Sequence, residues 1–428
     1  MLNLKRSSAL ALCGVGAVVV ASCTTSVGGA DGASPTNGDG LSTDQYQVAL
    51  DYVGGEATSA DASLEPVRIG FINVEGGVPS FPEATVAATA AVEYVNEYLG
   101  GVQGHPLEIS TCAIVQGDED ALKCAQEFAN DDSIVSVQLG ATPFGTGPIY
   151  QTIKDTRALI GFGPFGPQDL ESEDIVFYTA AAFASAPGLL VHARDNLGAE
   201  TLAVAYDATD PGAGANVQML SSKGPELGIE VTAVPVANAS EWTSALTAAG
   251  AQTAEAVAVV GGPATCIPAT KATDQLGIDV PILAYDFCMK QTTVQELGDY
   301  PEWTFVGPQP AVEGNTAEDM VAYLAAMDRY APADANLGGT ASSTFGIVLS
   351  QVRAMNAVGV DNLTSETLDA EMKAFTGPVF LGVDSLACGA YAAEGAPSLC
   401  TTNAFVSTYE GDGEWTAPLE IETKTLGL

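Results

Sequence analysis

The sequence predicts an α/β protein folded as two doubly wound parallel-sheet lobes. Three observations carry that reading. From Val67 onward, short hydrophobic runs alternate with stretches of helical period, the pattern of a parallel sheet covered by helices on both faces. The pattern restarts after Pro187. A globular region of roughly 360 residues also exceeds one comfortable core and should split.

In chain order, Val67–Val74 is a hydrophobic strand. Pro82 opens a helix with Ala88, Ala91, Val92, Val95 and Leu99 at helical spacing, stopped by Gly100 and Gly101. Leu107–Cys112 is a second strand, and residues 118–130 a helix with Leu122, Ala125 and Phe128 on one face. Strand Ile134–Leu139, a helix over 148–155 and strand Ala158–Phe162 complete the first unit. In the second, a helix over 188–196 precedes strand Thr201–Tyr206. Strands at 230–236, 256–260, 281–285 and 304–306 follow, separated by helical stretches. Long helices are expected at 316–330 and 342–358, then a strand-rich segment over 378–415.

The opening of the chain speaks of location. Lys5 and Arg6 precede a run of apolar and small residues from Ala9 to Ala21, ending in Val20-Ala21-Ser22-Cys23. This is the layout of a secretory signal peptide, too short for a span of about 20 apolar residues. The tetrapeptide resembles a bacterial lipobox, which implies lipidation of Cys23 and removal of residues 1–22. The mature protein is then expected outside the cytoplasm, anchored in the cell membrane by acyl chains. Residues 24–66 are rich in Gly, Ser, Thr, Asp and Ala. They read as a flexible tether with one short helical turn near 46–52, and as a coil of about 43 residues it reaches roughly 35 Å.

Charge excludes some partners. The chain carries 53 acidic and 14 basic side chains, a formal net charge of -39. Such a surface repels phosphates, so nucleic acid and anionic headgroups are excluded. With 47% hydrophobic residues, it is not a disordered composition. Six cysteines remain after residues 1–22 and Cys23 are set aside, grouped as Cys112 and Cys124, Cys266 and Cys288, and Cys388 and Cys400. An even number in an oxidising compartment suggests disulfides, and the short separations favour pairing within each group among 15 connectivities. A metal site is a poor alternative, because there is no C-x-x-C and the histidines are His105 and His192, both expected at the surface. No cofactor is expected.

Several segments, taken in order, resemble the type I extracytoplasmic solute-binding proteins of ABC transporters, in the branch that binds leucine, isoleucine and valine. They are Val67-Arg68-Ile69-Gly70-Phe71, the stretch from Val95 to Gly104, Asp118 to Phe128, Gln138-Leu139-Gly140, Pro148-Ile149-Tyr150, Ala158 to Phe162, Tyr206 to Gly214, and Gly277 to Ile282. The resemblance covers about residues 66–415. It implies a hinge that the chain crosses three times, near residues 186, 314 and 385. Lobe 1 would comprise 67–186 and 314–385, and lobe 2 residues 187–313 and 386–428. It further implies a monomeric lipoprotein that captures a small organic solute, such as an amino acid, an amide or a related amphiphile, and delivers it to ABC permease subunits.

Ligands of open parallel sheets bind beyond the carboxyl ends of the strands. Here those ends are the loops 73–81, 140–146, 162–167, 207–212, 261–266 and 285–288, the fifth contributing Gly262. The resemblance implies a carboxylate held on lobe 1 by backbone N–H groups and small hydroxyls. Phe144-Gly145-Thr146 and Pro164-Phe165-Gly166 match by position, with Thr146 at a helix start. The family's pair of hydroxyl residues is replaced by Phe144-Gly145 and Pro164-Phe165, which points to a larger or flatter apolar solute; the alternative is that both phenylalanines pack under their loops. Asp286 occupies the place of the family's acid for a ligand ammonium, a helix N-cap being the alternative. Glu75 is a second acid candidate, and Asp210 sits where the family often has an aromatic contact. Only Lys290 is a base near these loops, which disfavours a dicarboxylate or phosphate. Cys266 and Cys288 follow strands at their cleft ends, where a bridge would stiffen the binding loops.

No G-x-S-x-G, H-E-x-x-H or P-loop is present, so an enzyme has no nucleophile–base pair to rest on. Two function classes remain: a binding module for a permease, and a ligand-sensing lipoprotein on the same scaffold that signals through a membrane partner.

Overall fold

A computed structural model describes residues 40–423. The expected signal peptide, the expected lipidation site Cys23 and residues up to 39 lie outside the described residues. Among the described residues, thirteen strands form two sheets joined by three chain crossings.

The first sheet has β1 (Val67–Val74), β2 (Leu107–Ile114), β3 (Ile134–Leu139), β4 (Ala158–Gly161) and β5 (Ile175–Phe177), in the order β2-β1-β3-β4-β5 and parallel throughout. Strands β1, β3 and β4 are buried on both faces, which explains their largely apolar runs, while edge strand β2 is partly exposed. Pro82 stands first in α2 (Pro82–Tyr98), and Ala84, Ala87, Ala88, Ala91 and Val95 form its buried stripe. Gly100 and Gly101 end it at φ 76° and 64°; a Cβ on Gly101 would lie 2.1 Å from the His105 carbonyl oxygen. Then come α3 (Asp118–Ala129), α4 (Thr146–Ile153) and the one-turn α5 (Pro167–Leu170).

The second sheet has β6 (Thr201–Asp207), β7 (Glu230–Val236), β8 (Ala256–Val260), β9 (Ile282–Tyr285) and β10 (Thr304–Gly307), parallel in the order β7-β6-β8-β9-β10. Antiparallel β11 (Ala404–Gly411) adds to β10 and carries β12 (Glu414–Trp415) and β13 (Leu419–Ile421). Covering helices are α6 (Ala182–Asp195), α7 (Pro211–Lys223), α8 (Trp242–Ala249), α9 (Cys266–Leu276) and α10 (Gln291–Leu297). After β10 the chain returns to the first sheet as α11 (Glu318–Tyr330), α12 (Thr340–Val358) and α13 (Ser365–Ala374), whose apolar faces share one core with β1 and α2. A second core joins the other face of the first sheet to α6 and the second sheet, and a third lies under α8 and α9.

The strands expected at 67–74, 134–139, 230–236 and 256–260 form over those residues. Other expectations are corrected. The tether is ordered from residue 41: α1 (Gln47–Val53) buries Ala49, Leu50 and Val53, Tyr52 Oη lies 2.7 Å from Ser350 Oγ, and Asn356 Nδ2 donates to the Val53 carbonyl at 2.9 Å. The helical turn expected near 46–52 is this α1; its apolar residues pack on the first core instead of standing in a free tether. Helix α6 begins at Ala182 with Pro187 inside it, so the first crossing precedes residue 186. The third crossing lies beyond 385, because Phe177 on the edge of β5 donates to the Ser398 carbonyl at 2.9 Å and accepts from Cys400 N at 3.0 Å. His192 is 7% exposed rather than a surface residue, and burial lowers its pKa; His105 is half-buried, with Nδ1 2.7 Å from the Glu65 carbonyl oxygen.

The three disulfides are Cys112–Cys124, Cys266–Cys288 and Cys388–Cys400, the local pairs expected. The first ties β2 to α3. The second ties the start of α9 to the turn after β9. The third closes the segment that pairs with β5.

Candidate functional site

A cavity of about 260 Å³ opens where segments from both sheets meet the crossings. The first lobe contributes Phe81 and Glu83 after β1, Phe162 and Phe165 after β4, and the start of α12 from Gly338 to Thr340. The second contributes Asp286, Phe287, Met289 and Lys290 after β9. Crossing segments supply Ala181, Ser185 and residues 308–313. A cleft lined by apolar walls with a few polar groups is the usual form of a small-molecule site, and its place beyond strand carboxyl ends follows from the parallel sheets.

Asp286 is the most perturbed acid on the wall. Loss of solvation raises its carboxyl to about 7. The Lys290 ammonium and backbone N–H groups of the turn oppose that rise, and Glu313 adds to it. The side chain is half-buried, so part of it reaches the cavity. It is not an N-cap: Asp286 opens a short 3₁₀ turn whose N-cap is Tyr285. The close approach of β10 depends on Gly307, because a Cβ there would stand 2.5 Å from Asp286 Oδ2. Glu313 is also raised, chiefly by burial, and is held down by its own backbone N–H and the Tyr300 hydroxyl. Glu83 accepts the Thr340 hydroxyl at 2.9 Å.

Phe162 and Phe165 stack with centroids 6.0 Å apart and form one apolar wall. Phe287, 43% exposed, stands on the opposite lobe. Ala181 carries φ 45° where the chain crosses between lobes. It is pinned by the Thr179 hydroxyl, which accepts from Ala181 N at 3.1 Å and donates to the Phe162 carbonyl at 2.9 Å. Gly163 makes room, since a Cβ there would lie 2.5 Å from the Ala181 Cβ.

Of the residues expected from the sequence to touch ligand, the structure brings Phe165 and Asp286 to this cavity. The others lie off its wall, each with other bonds or packing. Thr146 is buried and its hydroxyl accepts from Gln168 Nε2 at 2.7 Å. Gly145 caps α4 at φ 83°, and Phe144 packs on the second core. Gly166 N donates to Asp169 Oδ2 at 3.0 Å, and Pro164 is buried beside it. Glu75 Oε2 accepts the Thr85 hydroxyl at 2.6 Å. Asp210 is the N-cap of α7, accepting from Gly212 N at 2.8 Å, and a Cβ on Gly262 would meet its other oxygen at 3.6 Å.

Glu83, Ser185, Gln309 and Glu313 were not found in the sequence. Glu83 stands in the first turn of α2, where an acid reads as a dipole partner. Ser185 stands in the first turn of α6 and Gln309 and Glu313 follow β10, and their convergence has no local signature. Among the described residues, no cluster of three His, Cys, Asp or Glu is placed to hold a metal ion, and no helix is long and apolar enough to cross a membrane.

Two sheet lobes around an interlobe cavity, with three crossings between them, define a protein of the type I periplasmic-binding-protein fold. A family model described as periplasmic binding protein matches residues 66–406, and the chain belongs to that family. Solved structures agree in fold. An ABC transporter substrate-binding protein from Sphaerobacter thermophilus is 16% identical with a TM-score of 0.66, over 84% of this chain and 98% of that one. A solute-binding protein from R. palustris in complex with 4-hydroxybenzoate is 14% identical with a TM-score of 0.63, over 84% and 97%. A leucine binding protein from Thermotoga maritima is 14% identical with a TM-score of 0.60, over 84% and 100%. A comparison with curated proteins finds no match.

Proposed function

We propose that this protein is the extracytoplasmic solute-binding component of an ABC transporter, anchored through lipid on Cys23. It captures a small amphiphilic amine between its lobes and hands it to the permease subunits; it is not an enzyme. The observation that carries the ligand assignment is Asp286: a desolvated carboxyl on the wall of an interlobe cavity lined by phenylalanines. A buried acid of this kind gains most from a cationic partner. Family membership and the substrate-binding proteins of the same fold support the transport role.

The test begins with a thermal-shift screen of amines, amino acids, amides and aromatic acids against the mature protein. Calorimetry on the best amine follows. Removing one partner of a charge-assisted hydrogen bond costs roughly 1.5–3 kcal/mol, so Asp286→Ala should weaken the amine by at least about tenfold. The fold should survive, since the side chain lies at a cavity wall. Equal affinity in Asp286→Ala would remove Asp286 from the site.

A further inference from the structure

The loop after β4 holds an anion, and the chain supplies it. Phe165 N and Gly166 N converge on Asp169 Oδ2 at 2.9 and 3.0 Å, and the Tyr150 hydroxyl donates to Oδ1 at 3.0 Å. Asp169 is 2% exposed. Two converging amides and a phenol make a carboxylate receptor of fixed geometry. It abuts the cavity through Phe165 and is already filled. The nearby Thr146 hydroxyl is engaged by Gln168.

The open wall carries the opposite preference. Glu83, Asp286 and Glu313 line the cavity against a single ammonium, that of exposed Lys290. Phe162 and Phe165 offer ring faces, which attract a cation as well as an apolar body. Independently of the acids, two polar side chains more than nine-tenths buried line the same cavity. Ser185 is 5% exposed and brings a hydroxyl to the wall. Gln309 is 7% exposed; its Oε1 accepts from Ser343 at 3.3 Å, which leaves its NH₂ as a donor. A neutral donor–acceptor group, such as a carboxamide or hydroxyl, satisfies both.

Resting on the solute-capture reading above, we infer that the cavity selects monocationic amines that carry no carboxylate, because Asp169 occupies the loop's anion receptor from within. A ligand carboxylate would enter a wall of three acids and find the converging amides taken. An amine bearing an amide or hydroxyl meets Asp286, the phenylalanines and the Ser185–Gln309 pair together.

The experiment is calorimetry with matched pairs: phenylalaninamide against phenylalanine, and leucinamide against leucine, with N-acetylleucine as the anion. The amides should bind at least tenfold tighter than their amino acids, and N-acetylleucine should not bind. In Asp169→Asn, which keeps the shape and removes the charge, the amide preference should shrink severalfold. If that variant does not fold, the wild-type pairs decide alone. An amino acid that binds as well as its amide overturns the inference, as does an unchanged preference in folded Asp169→Asn. If other solutes bind while both amides are silent, the inference falls and solute capture stands. If nothing in the wider screen binds, both fall.

Discussion

Asp286 is a carboxyl whose ordinary environment has been removed. Because burial raises it to about 7, a proton competes with any bound amine over the neutral range. Below that value the group is mostly neutral and the ion pair is lost. The affinity of an amine that itself stays protonated throughout, such as a simple alkylamine, should therefore rise with pH from 5 to 8, by at least about tenfold, and level off above 8. Calorimetry at several pH values checks this, with Asp286→Asn as the flat control. Stability of the ligand-free protein has the opposite slope. The folded state holds this proton where the unfolded state, at 3.8, has released it. Asp286 thus makes stability fall as pH rises from 3.8 to about 7. His192 works the other way: its pKa is depressed by burial, so its contribution is present above its ordinary value of 6.5 and fades as pH falls below it.

At the scale of elements, the turn after β9 is where packing meets binding. It carries Asp286 and Phe287, and Cys288 anchors it to the start of α9 through Cys266. Loss of that bridge should cost about 3 kcal/mol through the unfolded chain's regained freedom. It should also loosen the turn that holds the carboxylate. Replacing Cys266 and Cys288 together by Ser is expected to lower both Tm and amine affinity. Replacing Cys112 and Cys124, which tie β2 to α3 away from the cavity, should lower Tm alone. Equal affinity in the first double variant and the wild type would show that the bridge does not hold the site. Helix α12 shows how tightly the neighbouring core is set. A Cβ on Gly346 would come within 2.1 Å of the Phe380 carbonyl oxygen, so this buried helix and the segment after α13 touch through a glycine.

For the whole molecule, the acidic surface and the ordered N-terminal segment bear on how it is held. Residues 41–53 dock on α2 and α12, with Tyr94 Oη donating to the Gln45 carbonyl at 2.8 Å and the Arg353 guanidinium 5.6 Å from the Tyr52 ring centroid. The folded part thus begins well before β1. The lipid proposed on Cys23 would supply the membrane association, because a chain of formal charge -39 is on balance repelled by anionic headgroups. Cys23→Ala expressed in a bacterial host should leave the detergent phase and move to the soluble fraction. Retention in the membrane fraction would refute the anchor.

The sequence by itself determined the class of fold. Strand Ala256–Val260 is apolar without interruption, and Val67–Val74 is so apart from Arg68 and Asn73, because parallel strands are buried on both faces, and that signal is local. Helix starts at Pro82 and stops at Gly100-Gly101 are equally local, as is the spacing that pairs the cysteines. Asp286 is marked only by the family resemblance, as the acid after a lobe-two strand, with a helix N-cap as the alternative. Tertiary structure alone decided the rest. Only packing shows that the N–H groups of Phe165 and Gly166 are spent on Asp169, three or four residues away, and not offered to a ligand. Only the crossings bring Ser185, Gln309, Glu313 and Glu83 to one cavity, from segments that lie far apart in the chain. Burial and partnership are properties of the assembled lobes, so no window of sequence contains them.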